Sequence, residues 1–250
     1  MDLSTLHPIA VVLDGLQSLV TTLGELVEPV AGASAAALGV VLFTLLVRLV
    51  LVPVGVSQVR AEIARRRLAP AIADLNRRVT DPEARSRALM ALYASEKVSP
   101  LAGCLPTLAQ APVLTAVYSL FAHSEIAGHA NALLSHTLGG AALGANLFVT
   151  LGAGLAAIWP YLVLLVLLAL VVELSRRAAL RFTGPGATPT AGRGRGQEAP
   201  AGTAGILRWL PFVSVLFAAF APLAAGLYLV TSAAWTLGER AVLRRVLAPA

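Results

Sequence analysis

Arg48 stands alone inside the apolar run Val40–Pro53, which reads Val-Val-Leu-Phe-Thr-Leu-Leu-Val-Arg-Leu-Val-Leu-Val-Pro. An arginine at mid-bilayer costs ~2.5–3.5 kcal/mol on insertion scales. Arg48 lies eight residues before Val56, where the apolar stretch ends, roughly 12 Å along a helix, so snorkelling to the interface would relieve part of the cost. One reading is therefore an interfacial anchor. Thr44, one turn earlier on the same helix face, favours a second: a polar stripe lining a water-filled cavity within a helix bundle. Such a cavity would bind anionic or polar groups rather than perform bond chemistry.

Other chemistry-bearing residues are sparse. Gln110 precedes Pro112 by two positions, and that proline frees the carbonyl four residues before it for a side-chain donor. Thr107, Ser214, Thr231 and Ser232 read as hydroxyls satisfied by nearby carbonyls. Glu173 has Arg176 and Arg177 as neighbours at three- and four-residue spacing, the spacing of a helical ion pair. The four histidines, His7, His123, His129 and His136, have no cysteine or carboxylate companions at metal-ligand spacing. The one cysteine, Cys104, cannot form an intrachain disulfide. No glycine-rich phosphate loop follows a strand pattern. Neither an enzyme nor a bound cofactor or metal is expected.

The elements that must position Arg48 follow from composition and charge. The chain has 250 residues, 57% hydrophobic and only 13% charged, with net charge +6 and mean hydropathy +0.79. Soluble domains carry roughly 25% charge, so a soluble enzyme is excluded, and disorder of the whole chain is excluded by its hydrophobicity. Residues 1–47 and 98–175 contain no lysine or arginine; apart from Arg48, the basic residues cluster at 60–97, 176–208 and 240–245. Positive charge marks the cytoplasmic side. The +6 is therefore a topology signal, with no nucleic-acid binding implied beyond ribosome contact.

Apolar runs long enough to cross a bilayer place spans at 33–56, 99–122 and 152–174. Trp209–Gly238 is uncharged but flanked by arginine at both ends. Two short legs turning near Pro222, 209–222 and 223–238, keep both ends inside. The expected architecture is an all-α membrane protein, a five-span bundle with its N-terminus outside and C-terminus in the cytoplasm. Residues 1–32 read as an extracytoplasmic amphipathic helix with Val12, Leu16, Leu19, Leu23 and Leu26 on its apolar face. A sixth span there is disfavoured by the central Asp14. Residues 57–98 predict a cytoplasmic helical hairpin carrying Gln58, Arg65, Arg66, Arg67, Arg77 and Arg78, whose second helix starts at Thr80-Asp81-Pro82-Glu83. The outer loop is 123–151. Residues 175–208 are rich in glycine and proline and read as a flexible basic loop; 239–250 form a cytoplasmic tail.

Several segments carry a resemblance to a known family. Phe43-Thr44-Leu45-Leu46-Val47-Arg48, then Pro53, Gln58 and Leu68-Ala69-Pro70, resemble the start of the YidC/Oxa/Alb membrane protein insertases. The stretch from Leu92-Tyr93-Ala94-Ser95-Glu96-Lys97-Val98-Ser99-Pro100 through Gly103-Cys104-Leu105-Pro106 and Gln110-Ala111-Pro112 to Tyr118 is similar to the family signature. The resemblance covers about 33–245 and points to a short bacterial form without a large extracytoplasmic domain. Pro222 and Tyr228 match the closing motif, whereas Glu173, Ala233 and Glu239 depart from the residues the family usually has there.

The resemblance implies a plasma-membrane insertase and chaperone with a hydrated groove open to cytoplasm and lipid. Arg48 would be the groove cation, with Thr44, Gln110 and Tyr228 lining the groove, and the hairpin residues named above would make early contacts. Implied partners are nascent membrane proteins and membrane lipids, with the Sec translocon and the ribosome as further candidates. Two alternatives stay open: a small solute transporter or channel using Arg48 for an anion, and a non-inserting assembly factor of a translocation complex.

Overall fold

Where hydropathy reads Leu13–Val50 as one stretch long enough to cross a bilayer, Gly32–Ser34 form a 3-10 turn that folds it back on itself. Helix α1 (His7–Ala31) then packs along α2 (Ala35–Val50). The computed structural model describes residues 7–96, 119–121, 125–126, 129–183 and 209–248. Most of the expected second span, including Cys104, Thr107 and Gln110, lies outside the described residues.

The face that α1 buries differs from the one read in sequence. Leu13 and Val20 are buried, and Leu16 and Leu23 pack against the same core. Leu19 and Leu26 are exposed. The stripe 13–16–20–23 also has helical spacing, and glycine decides between the two. Gly39 brings α2 so close to α1 that an added Cβ would stand 2.8 Å from the Val20 carbonyl oxygen and 3.1 Å from the Gly24 Cα. Small residues permit such backbone contact between membrane helices. Gly39→Val should therefore force the two helices apart at a cost of about 1–3 kcal/mol or more. The check is thermal unfolding of the purified protein in detergent, where the apparent melting temperature should fall; Gly15→Ala, which meets nothing within 4 Å, is the control.

Helix α2 ends at Val50, Leu51 caps it, and α3 (Val52–Arg78) starts at once with Pro53 in its first turn, where no donor is lost. Helix α4 (Pro82–Ser95) begins as the sequence predicts: the Asp81 carboxylate accepts from Ala84 N–H at 2.7 Å and Pro82 follows it. Past 121 the chain forms two small antiparallel ribbons, Glu125–Ile126 with His129–Ala130 and Thr137–Leu138 with Ala141–Ala142. The second turns through Gly139 and Gly140, both at positive φ (56° and 89°), the conformation that a two-residue hairpin turn asks of glycine.

Further α-helices among the described residues are α5 (Leu147–Ala153), α6 (Trp159–Thr183), α7 (Val213–Phe220) and α8 (Leu223–Leu247). Their bounds correct the apolar-run reading. A break at Gly154, φ 134°, delays the third long helix from 152 to Trp159. That helix continues nine residues past 174, so 175–183 are helical rather than loop. The chain breaks at Ala221-Pro222, but only the first leg is short; α8 runs 25 residues, roughly 37 Å. Hydropathy marks where apolar surface stops, whereas a helix continues for as long as its backbone bonds and side-chain partners support it.

Helix α8 packs against α2, α6 and α3. Its first N–H groups lack intrahelical acceptors, and the loop before α5 supplies them. Leu223 N–H donates to Ala145 C=O at 3.0 Å and Ala224 N–H to Leu143 C=O at 2.9 Å. The Tyr161 hydroxyl also donates to Ala145 C=O. Around this junction lies the core, with Val40 and Phe43 of α2, Leu120 and Phe121, Leu143, and Leu223 all fully buried. One end of the bundle is thus sealed by loop and core. The site lies towards the other end.

Candidate functional site

Arg48 sits in the last turn of α2, where the helix dipole favours a cation. It is partly buried, and its Nε donates to Ser232 Oγ of α8 at 3.2 Å. Beside it opens a cleft of about 210 Å³ between α2, α3 and α8. Gly55 and Gln58 of α3 form one wall, Thr236, Glu239 and Arg240 of α8 the other. On α3, Gly55, Gln58 and Glu62 recur every three or four residues; on α8, Ser232, Thr236 and Glu239 do likewise, with Arg240 one turn past Thr236. These are the two facing stripes of a helix seam, polar but for Gly55. They are legible in sequence once α3 and α8 are known to touch, and single-helix periodicity gives no such knowledge.

Of the residues expected in a groove, Arg48 alone among the described residues lines this cleft. Thr44 is fully buried one turn deeper, and its hydroxyl donates to Val40 C=O at 2.7 Å, so it is satisfied within its own helix. Tyr228 is 5% exposed and belongs to the apolar core near the sealed end, because it lies two turns before Thr236 on α8. Gln110 lies outside the described residues. Gln58, expected as a contact of the cytoplasmic hairpin, instead faces the cleft.

Several basic residues of α3 hold structure together. Arg67 pairs with Glu96 at 2.7 Å, joining α3 to the end of α4. Arg78 pairs with Asp74 at 2.9 Å, and Arg77 lies 3.8 Å from the same carboxylate. The Arg66 guanidinium lies over the Phe182 ring at 4.6 Å, and Arg244 of α8 stacks on Phe182 at 4.5 Å. Arg65 is partly buried and also engaged. Arg244 reaches Glu62 of α3 at 2.6 Å as well. Below the cleft, therefore, α3, α6 and α8 are tied by Glu62–Arg244–Phe182–Arg66. Glu173 takes Arg176 at 2.7 Å and Arg177 at 2.6 Å, the pairing its spacing predicts. Among the described residues no three histidine, cysteine, aspartate or glutamate side chains gather to hold a metal.

Mostly helical, with Leu155–Phe182 long and apolar enough to cross a bilayer, the apolar stretch Leu13–Val50 folded into the pair α1 and α2, and a polar cleft let into the seam of three helices, this is a helical membrane protein. Its sequence matches the profile of the 60Kd inner membrane protein family over residues 27–249, and the chain belongs to that family, the YidC/Oxa/Alb proteins. Similar curated proteins include the membrane protein insertase YidC of Clostridium perfringens, 41% identical over 81 residues, covering 32% of this chain and 34% of that protein. The YidC insertase of Oceanobacillus iheyensis is 33% identical over 98 residues, 37% of this chain and 39% of its own. That of Shewanella piezotolerans is 38% identical over 96 residues, 38% and 18%. The matched segments thus span well under half the length of these relatives. Membership of that family makes the chain a membrane protein.

Proposed function

We propose that this chain is a membrane protein insertase and folding factor. Polar parts of an entering substrate lodge in the cleft beside Arg48, while the substrate's apolar segment passes into lipid. Partitioning of that segment drives the process, and the cleft only has to lower the cost of bringing polar groups in. The observation that carries this reading is Arg48 itself: a partly buried cation, bonded to a neutral hydroxyl, on the wall of an open polar cleft. In a family whose relatives are named insertases, such a cation has an evident use.

The same reading takes α2, the segment around 99–122, α6, α7 and α8 as five crossings. The turn Gly32–Ser34 then lies on the outer side, with the amphipathic α1 folded back along α2, and the C-terminus and the α3–α4 pair lie in the cytoplasm. Nascent membrane proteins and lipids are the partners, and the Sec translocon and the ribosome could join through the basic surface of α3 and α4. Thr44 would support the groove floor from within α2, and Gln110 would face the groove from the second crossing.

The test is reconstitution of the purified protein alone in liposomes, with a nascent single-span substrate bearing a short polar tail. Protease-protected tail is the expected result. Solute flux without tail protection would replace this reading with a transporter. Insertion only on adding a translocation complex would replace it with an assembly factor.

A further inference from the structure

The cleft carries a negative pole as well as a positive one. Among its α8 residues, Thr236 spends its hydroxyl on Ser232 C=O at 2.8 Å, and Ser232 accepts from Arg48. Glu239 is different. Its carboxylate stands over Gly55 of α3, in the space that any side chain at 55 would take. Its buried Oε1 has no partner at hydrogen-bonding geometry, and the buried indole N–H of Trp235, one turn earlier, is turned towards the carboxylate without closing a bond. Arg48 lines the same cleft, yet among the described residues no ion pair joins it to Glu239.

A buried oxygen lacking a donor is costly to leave so, and two opposite charges held apart across a cleft suit a guest that carries both. We infer that Arg48 and Glu239 form a two-pole receptor for substrate tails carrying an acidic group beside an ammonium group, the acid meeting Arg48 and the ammonium meeting Glu239. This rests on the insertase reading and names its substrate class. A uniformly acidic tail would be held at Arg48 and repelled at Glu239; a uniformly basic tail would be repelled by Arg48 and Arg240. A tail with both charges enters with its desolvation offset at each pole, and complementarity of this kind confers selectivity more than raw affinity. Gly55 belongs to the device, since its missing Cβ is what seats the carboxylate.

The experiment uses the full chain in liposomes and two single-span substrates that differ only in the tail, one with aspartate and one with aspartate plus lysine. For Glu239→Gln, the ratio of insertion rates, mixed tail over acidic tail, is expected to fall about fivefold or more, the acidic tail gaining as the mixed tail loses. Gly55→Ala, which displaces the carboxylate without removing it, should move the ratio the same way and carries the test if Glu239→Gln fails to fold. A ratio unmoved in both variants, or a parallel fall of both tails at unchanged melting temperature, overturns the receptor. Photocross-linking of the same tails from a probe at Val54 reads cleft occupancy apart from insertion. Preferential labelling by the mixed tail, lost in Glu239→Gln, supports the receptor even where the wild type inserts neither tail and the insertase reading fails. Equal labelling by both tails overturns it.

Discussion

Arg48→Ala slows insertion of a substrate with an acidic tail by on the order of ten- to hundredfold, the loss expected when one charge-assisted hydrogen bond of ~1.5–3 kcal/mol is removed. The site makes that loss hard to replace. Arg48 emerges from α2 immediately before the chain turns into α3, so its guanidinium is held at the mouth of the seam rather than at its sealed end. Its bond to Ser232 fixes the Nε side of the fork and leaves the terminal nitrogens to the cleft. Arg240 also borders the cleft but is exposed, and its charge is weakened by solvent. Arg48→Lys should fall between alanine and wild type, since an ammonium restores charge without the planar fork. Initial rates of tail protection in liposomes, for acidic and for neutral tails, decide the matter. Insertion of acidic tails by Arg48→Ala at the wild-type rate would sink the groove-cation role while leaving the fold intact.

What could be read from sequence divides along a physical line. Local events were legible: the Asp81 cap, the Glu173 pairing with Arg176 and Arg177, the break before Leu223, and the cost of burying Arg48 each depend on residues within a turn or two. Contacts between distant helices were not. The buried face of α1 turns on Gly39, fifteen residues past Gly24 and across a reversal of chain direction, and two apolar stripes of equal periodicity cannot be ranked without knowing that partner. Thr44 shares a face with Arg48, and sequence alone does not show that its hydroxyl is satisfied by the carbonyl one turn back. Tyr228 carries a motif match and nothing in its spacing to tell core from cleft. Phe182 lies in a stretch of basic and small residues that hydropathy assigns to a loop, and only the two guanidinium groups stacked on its ring show why the helix persists there.

The tie beneath the cleft gives the second large effect. Arg244 is 11% exposed and serves Glu62 at 2.6 Å, the Ala178 carbonyl at 3.4 Å and the Phe182 ring. Arg244→Ala leaves Glu62, itself only 29% exposed, without its cation. Removing one partner of a fully buried pair costs 3–5 kcal/mol; Glu62 keeps some access to water, so about 2–3 kcal/mol is expected here. The loss falls on the seam between α3 and α8, because Arg66 still holds α3 to α6 through Phe182. Amide exchange in α3 between Gly55 and Leu68 should then accelerate roughly thirty- to hundredfold, while exchange around Phe43 and Leu223, at the sealed end, changes little. Glu62→Ala in the Arg244→Ala background should add less than it does alone, since the second change removes the stranded carboxylate. Because Gly55 and Gln58 ride on the same helix, loosening the tie also widens the cleft at Arg48. If exchange in α3 is unaltered by Arg244→Ala, the tie is surface decoration and α3 is held by its apolar contacts alone.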